Sequence, residues 1–473
     1  MIQQLPQELA DRIEYAAAVR REQIRSSKDQ PVFFGTPYYV SAQGNDQNDG
    51  LTPDTAWKTL TKVDTFPFNP GDAVLLRRGD EFRGHIKACE GVTYSAYGDG
   101  PKPIFNTSPF DGAKVGQWIP TEVPHIYRYS EKMIDDIGCI VFDGGEYHGL
   151  KATIDFSKDE NLTNETPFHS WRDLIEDLSF YHDLGGPHTK GYDENSTLYL
   201  KSTAGNPGER FSSIEFNSGH NGITVTCNDV HINNLNIRHC GNHGIGAVGF
   251  IKGLKVDWCE FEWIGGSMQG YSEKGSPVRF GNAIEIYGGC LDYIVENCYI
   301  NQVYDAGITH QYSAVGTEDI LMKDIIYKGN LIENCTFSIE YFNGRPEAPA
   351  HRNMVHVRMY DNIMRYSGYG FGKQRPWRST TACHIKSWDH QNTAEDMIYE
   401  GNIMDCSGHA LIHATCEEER SMPIIRRNIF IQNRGGKFAK LGTKLPAEFI
   451  YYTEEGINSQ TYIGEDNEFY YKD

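Results

Sequence analysis

The sequence predicts an all-β chain wound as a parallel β-helix, a solenoid in which each coil stacks on the one before. Three observations lead there. A small residue followed by isoleucine recurs along the middle of the chain, an Asn followed by an apolar residue recurs between those steps, and no Pro/Ser-rich linker divides the 473 residues.

The first step occurs at Gly222-Ile223, Gly244-Ile245, Ala283-Ile284, Gly307-Ile308, Ser338-Ile339, Gly370-Phe371 and Leu411-Ile412. The second occurs at Asn234-Leu235, Asn330-Leu331, Asn362-Ile363, Asn402-Ile403 and Asn428-Ile429. A small residue lets the chain bend at a corner, an inward Ile stacks on the Ile of the next coil, and Asn above Asn shares side-chain hydrogen bonds. The intervals are uneven, so some corners must grow into loops: Gly265–Asn282, Tyr312–Asp319, Asn343–Asn353, Lys373–Cys383 and Asn392–Asp396. Most of these follow the same strand of successive coils and should wall a groove.

Ahead of the repeat, residues 5–27 place Leu9, Ile13, Ala16, Ala17 and Ile24 near helical spacing among charges. This predicts an amphipathic helix that caps an open end of the stack within an N-terminal segment 1–37. The solenoid itself is expected over 38–440, with a loop or helix insertion near 150–200 and a C-terminal cap over 441–473. Eleven cysteines are an odd number, and Cys240, Cys335 and Cys406 fall at similar corners, as do Cys259 and Cys298. They read as stacked filler; no CxxC pair points to zinc.

Lys and Arg number 44 against 64 Asp and Glu, a net charge of −20, and no basic stripe is present to neutralise phosphates. Nucleic acid and anionic membranes are therefore excluded as expected partners. Aromatic residues make up 12% of the chain, a composition suited to stacking on the flat faces of sugars. The start, Met1-Ile2-Gln3-Gln4-Leu5-Pro6, has no basic segment leading into an apolar one, and no apolar run approaches the roughly 20 residues of a spanning helix. A cytoplasmic protein is expected.

YYVSAQGNDQNDGLTPDTAWKTL (38–60), NPGDAVLLRRGDEFRG (69–84) and YSAYGDGPKP (94–103) resemble the N-terminal region of the pectin-lyase-like proteins of bacteria. GNAIEIYGGC (281–290), QVYDAGITHQ (302–311), SIEYFN (338–343) and GYGFGKQRP (368–376) are similar to the central part of the same group. The resemblance implies a right-handed parallel β-helix and a carbohydrate-active enzyme, glycoside hydrolase, lyase or epimerase. It departs from the many secreted members in lacking a leader, which implies an imported oligosaccharide as substrate.

With the Ile column as a ruler, the next residue on each strand must point outward. Successive coils then present Gly246, Glu285, Thr309, Glu340, Gly372 and His413, and two residues on, Val248, Tyr287, Gln311, Phe342, Gln374 and Thr415. Glu285 and Glu340 lie two coils apart, so their backbones should be roughly 9–10 Å apart. Tilted side chains can bring their carboxyls to about 6.5–9.5 Å, which leaves room for a water as an inverting glycosidase needs.

Glu285 and Glu340, with Asp305 as a third carboxylate, are the expected catalytic set. Tyr287, Thr309, His310, Gln311, Phe342, Arg345, Lys373, Gln374, Arg375 and Trp388 are the expected substrate-binding set. Strict alternation turns His310 and Lys373 inward, and His384, Lys386 and Trp388 belong to the second strand of their coil. Three functions compete: a glycoside hydrolase with paired carboxylates, a lyase or uronate epimerase using Arg345, Arg375, Lys386 or His310, and a non-catalytic glycan-binding module. No cofactor is expected; no run of Asp demands calcium, which the sequence leaves open along with homo-oligomerisation.

Overall fold

One isoleucine per coil is drawn to the interior, and these isoleucines lie in register. The computed structural model describes the chain except for residues 1, 134, 157–167, 185–195, 313–318, 345–350, 376–380, 389–391, 417, 444–448, 454–461 and 465. Ile86, Ile223, Ile245, Ile284, Ile308, Ile339, Ile385 and Ile412 pair strand to parallel strand, and Ala439 follows. The described residues are mostly β, with long parallel sheets formed coil upon coil.

Two more interior columns complete the stack. One runs from Val74 through Tyr94, Ile232, Val256, Val295, Tyr327, Met359 and Tyr399 to Ile425. The other runs from Phe82 through Phe105, Ile237, Phe261, Ile300, Ile332, Met364, Met404 and Phe430 to Phe469. Side chains alternate in and out with period 2, so each column leaves a matching row of outward residues on its face.

At one corner the Asn side chains form a ladder. Asn330 Nδ2 donates to Asn362 Oδ1 (2.9 Å), Asn362 to Asn402 (2.9 Å), Asn402 to Asn428 (3.0 Å) and Asn428 to Asn467 (3.0 Å). In earlier coils the same position is filled by Cys298, Cys259 and Leu235. Asn234 therefore stands one residue off the ladder; it has φ 54° and accepts from Lys102 Nζ instead. Cys335 is in register with Val303, whereas Cys406 precedes Ser407, which pairs with Ser367, so the expected Cys335–Cys406 match is also one residue out. All eleven cysteines are free thiols and nine are buried. Packing explains them.

The helix α1 (Gln7–Ser26) forms, but not at an end of the stack. Gln3–Gln4 adds a strand beside Tyr470 and Tyr471 of the last coil, and α1 then runs back along the flank. Ile13 packs against Cys406 and Ile431, while Ala17 and Ile24 pack against Tyr299, Leu331 and Ile363. Arg21 pairs with Glu333 (2.6 Å), Arg25 with Glu260 (3.0 Å), and Glu14 with Arg365. A 20-residue helix is about 30 Å long, about six strand spacings, so it fits the flank better than a coil end. The expectation of a cap is corrected accordingly. At the first coils, a shorter helix, α2 (Leu60–Thr65), places Leu60 and Val63 in the main core.

The described residues between 118 and 218 leave the stack and build two small sheets of strands around Phe142, Phe180, Leu198, Leu200, Ile214 and Phe216. The insertion expected as loop or helix near 150–200 is carried here largely by strands, and part of it lies outside the described residues.

Ile24 is wholly buried between α1 and three coils. Ile24→Ala should lower the free energy of unfolding by about 2–4 kcal/mol, measured by urea denaturation, while the circular dichroism of the β-stack is retained.

Candidate active site

The outward row beside the Ile column runs along strands β1 (Ile223–Val225), β2 (Ile245–Ala247), β3 (Ile284–Ile286), β4 (Tyr299–Gln311), β5 (Leu331–Phe342), β6 (Cys383–Ser387) and β7 (Ala410–Cys416). Gly246 pairs with Glu285, Thr309 with Glu340, Glu340 with Lys386, and Lys386 with His413. Gly246, Glu285 and Glu340 of this row border a groove of roughly 460 Å³ that Asp305, Gln311, Tyr287, Phe342 and Trp388 also line, among others.

Three carboxyls converge there. Glu285 is 6% exposed, Glu340 4% and Asp305 8%. A register shift between Val303 and Ala306 marks the corner where β4 carries Asp305, the place where a bulge re-aims a side chain. Asp305 forms an ion pair with Arg375. Burial pushes Glu285 up to about 7, against the donors Thr309 and Asn282. Burial and then the charge of Asp305 push Glu340 well above the usual carboxylate range, against Arg375. Burial works against the charge of Arg375, but Asp305, Tyr304 and Glu340 together raise its pKa.

A short network holds the two glutamates. Asn282 Nδ2 donates to Glu285 Oε2 (2.5 Å), as does Thr309 Oγ1 (2.8 Å), and Gln311 Nε2 donates to Glu340 Oε2 (2.8 Å). Lys386 Nζ lies 2.7 Å from His413 Nδ1 and 4.3 Å from the centre of the Trp388 ring, and burial lowers its pKa to about 8. Tyr287 and Trp388 are 52% and 39% exposed, and both line the groove.

Sequence reasoning missed the other end of the groove. Asn221, His243 and Asn282 each stand two residues before a column Ile, and each bonds to the next coil. Asn221 Oδ1 accepts from His243 N (3.1 Å), His243 Nδ1 from Asn282 N (3.1 Å), and Asn282 Oδ1 from Ala306 N (2.7 Å). His243 is thereby set as the tautomer whose Nε2 carries the hydrogen, and burial lowers its pKa to about 3. The signal was present in NGI, HGI and NAI, but the ruler was read only forwards from each Ile. Gly246 completes this end, since a Cβ there would stand 2.4 Å from Asn221 Nδ2. A hairpin, Met268–Tyr271 with Pro277–Arg279, brings Gln269 and the adjoining Phe280 to the same groove.

Several expected positions are corrected. Gly372 is not on the row; its place is taken by Lys386, because Gly370–Gln374 forms a 3₁₀ turn and Ile385 supplies the column. Lys373 is exposed, and Gln374 bonds to the backbone of Gly149 and Lys151 in the insertion. His310 lies inside the coil, 2.8 Å from the Tyr327 hydroxyl and stacked on Tyr341. Thr309 is wholly buried and supports Glu285. His384 is likewise interior, against Ser338 and Ser367. Arg345 lies outside the described residues.

Among the described residues no cluster of three or more His, Cys, Asp or Glu is arranged to hold a metal ion, and no helix is long and apolar enough to cross a membrane. No family model matches the chain. Over 97 residues it is 43% identical to a lacto-N-biosidase of Bifidobacterium longum, a match that covers 18% of this chain and 6% of that protein. A structure of XylC with xylose superimposes with a TM-score of 0.48 at 12% identity, over 86% of this chain and 71% of that one. A GH136 lacto-N-biosidase from Eubacterium ramulus gives 0.37 at 12% identity, over 98% and 71% of the two chains. A glycoside hydrolase gives 0.43 at 10% identity, over 92% and 96%. Structural likenesses of this grade bear on neither activity nor substrate.

Glu285 also predicts a pH dependence of stability. Its pKa is raised by burial from 4.5 to about 7, so the fold prefers the protonated form. That contribution is complete below the unfolded value and is lost as pH rises through the folded one. The free energy of unfolding should fall by up to about 3 kcal/mol over this window. Urea denaturation across pH should show Glu285→Gln lacking this component of the decline.

Proposed function

We propose that this chain is a glycoside hydrolase acting on oligosaccharides, on a right-handed parallel β-helix, the hand that parallel crossovers adopt. The observation that carries the proposal is the pair of buried glutamates, Glu285 and Glu340, both with raised proton affinity and both lining one groove. Breaking an acetal needs a proton delivered to the departing oxygen and a water activated at the anomeric carbon. A solvated carboxyl at neutral pH has already lost the proton that the first task needs; a buried one beside another carboxylate keeps it. The short match to a lacto-N-biosidase agrees with this reading.

Tyr287, Phe342 and Trp388 supply apolar faces for sugar rings, and Gln311, Asn221 and His243 supply polar edges. Arg375 acts on the site through Asp305. Arg345 is retained as a proposed binding residue on its sequence position alone.

A second reading has one observation in its favour. Lys386 is buried in register with Glu340, and with a pKa near 8 it is suited to removing a proton as a lyase or epimerase base. Product chemistry separates the two: hydrolysis yields new reducing ends, whereas elimination yields an unsaturated sugar that absorbs in the ultraviolet.

Glu285→Gln and Glu340→Gln should each reduce kcat on a hydrolysed oligosaccharide by about 100-fold or more, with unchanged circular dichroism. Glu22→Gln, on the exposed face of α1, should leave kcat within about twofold. Full activity in both groove variants would shift the assignment to Lys386.

A further inference from the structure

Resting on the hydrolase reading, we infer that Glu340 is the general acid and Glu285 the general base, a division set by the different hydrogen-bond partners of the two carboxyls. The hydrogen bonds around each carboxyl differ in kind. At Glu285 both donors are locked as donors: Asn282 has its Oδ1 committed to Ala306 N, so its Nδ2 faces Glu285. Thr309 Oγ1 receives Ile286 N at 3.0 Å, which leaves its own hydrogen for Glu285 Oε2. Two fixed donors on one oxygen favour the anion and leave the second oxygen to take a proton.

Glu340 has a different setting. Its bond is to Gln311, a side-chain amide that, turned over, accepts the O–H of a protonated carboxyl as readily as it donates to an ionised one. After burial, the charge of Asp305 is the next influence that raises Glu340, and it also raises Glu285. Arg375 and Lys386 also face Glu340 and oppose this effect. Asp305 is a positioning residue: its negative charge adds to burial in holding a proton on Glu340.

The step then balances. Glu340 gives its proton to the glycosidic oxygen as the bond from that oxygen to the anomeric carbon breaks. Glu285 takes a proton from a water whose oxygen forms the new bond to that carbon. The products are a hemiacetal and an alcohol, and solvent carries the proton from Glu285 back to Glu340. Two strand spacings, roughly 9–10 Å, separate the backbones of the pair, and carboxyls that stay about 6.5–9.5 Å apart would leave room for that water, as inversion needs.

The test uses the full-length protein and a panel of methyl and dinitrophenyl glycosides, the dinitrophenolate leaving without a proton. Glu340→Gln should lose about 100-fold or more on methyl glycosides yet stay within about tenfold of wild type on dinitrophenyl glycosides. Glu285→Gln should lose about 100-fold or more on both. Asp305→Asn should move the alkaline limb of kcat/KM on methyl glycosides down by about one pH unit, with no such shift on dinitrophenyl glycosides. Thermal unfolding of each variant checks that it folds. Sparing of Glu285→Gln on dinitrophenyl glycosides while Glu340→Gln is lost would reverse the roles, and loss of both activities in Asp305→Asn would make Asp305 itself the base. Either result, or retention of anomeric configuration, overturns this assignment alone. A wild-type protein silent on the whole panel overturns the hydrolase reading as well.

Discussion

The register of the coils is the constraint on which everything else depends. Parallel strands sit about 4.8 Å apart and side chains alternate, so once Ile284, Ile308, Ile339 and Ile385 stack inward, the outward neighbours Glu285, Thr309, Glu340 and Lys386 have nowhere to go but one row. A slip of one residue in any coil would exchange apolar and charged faces. The burial that holds the column in place, at 0% exposure for each of these isoleucines, therefore also sets the spacing of the carboxyls.

That row is costly to fold. Two carboxyls, an ammonium and an imidazole are taken out of water within five adjacent strands, and nearby Asp305 and Arg375 form an ion pair. Buried charge is tolerated where it is paired or neutralised by a shifted pKa, and both devices appear here. The raised affinities of Glu285 and Glu340 and the lowered pKa of Lys386 are the trace of this cost. Elements far from the groove help to bear it. The helix α1 fastens several coils along their flank, and Gln374 ties the insertion to the turn that delivers Arg375.

Much of this was legible from one chain. The Ile column emerged because small residue followed by Ile is a local pattern, and Glu285, Glu340, Tyr287, Gln311 and Phe342 followed by counting outward from it. The same rule failed where local chain geometry broke the count. The turn at Gly370–Gln374 carries the same small-residue step without being a coil, so Gly372 and Gln374 stood in for Lys386 and Trp388. Asn234 imitates the Asn ladder at the level of dipeptides but sits in a left-handed conformation one residue away from it.

By itself, the sequence determined the repeat, the alternation and hence which residues are able to share a face, because these depend on spacing within a few residues. Tertiary structure alone decided which coil each strand belongs to, that α1 lies on the flank, and that Asp305 meets Arg375 from a turn 70 residues away. The same holds for the ladder of Asn221, His243 and Asn282, each bonding to the coil above. The physical reason is that loop lengths between coils are unequal: neighbours in space are then set by strand pairing and packing across the stack, which no fixed interval along the chain records.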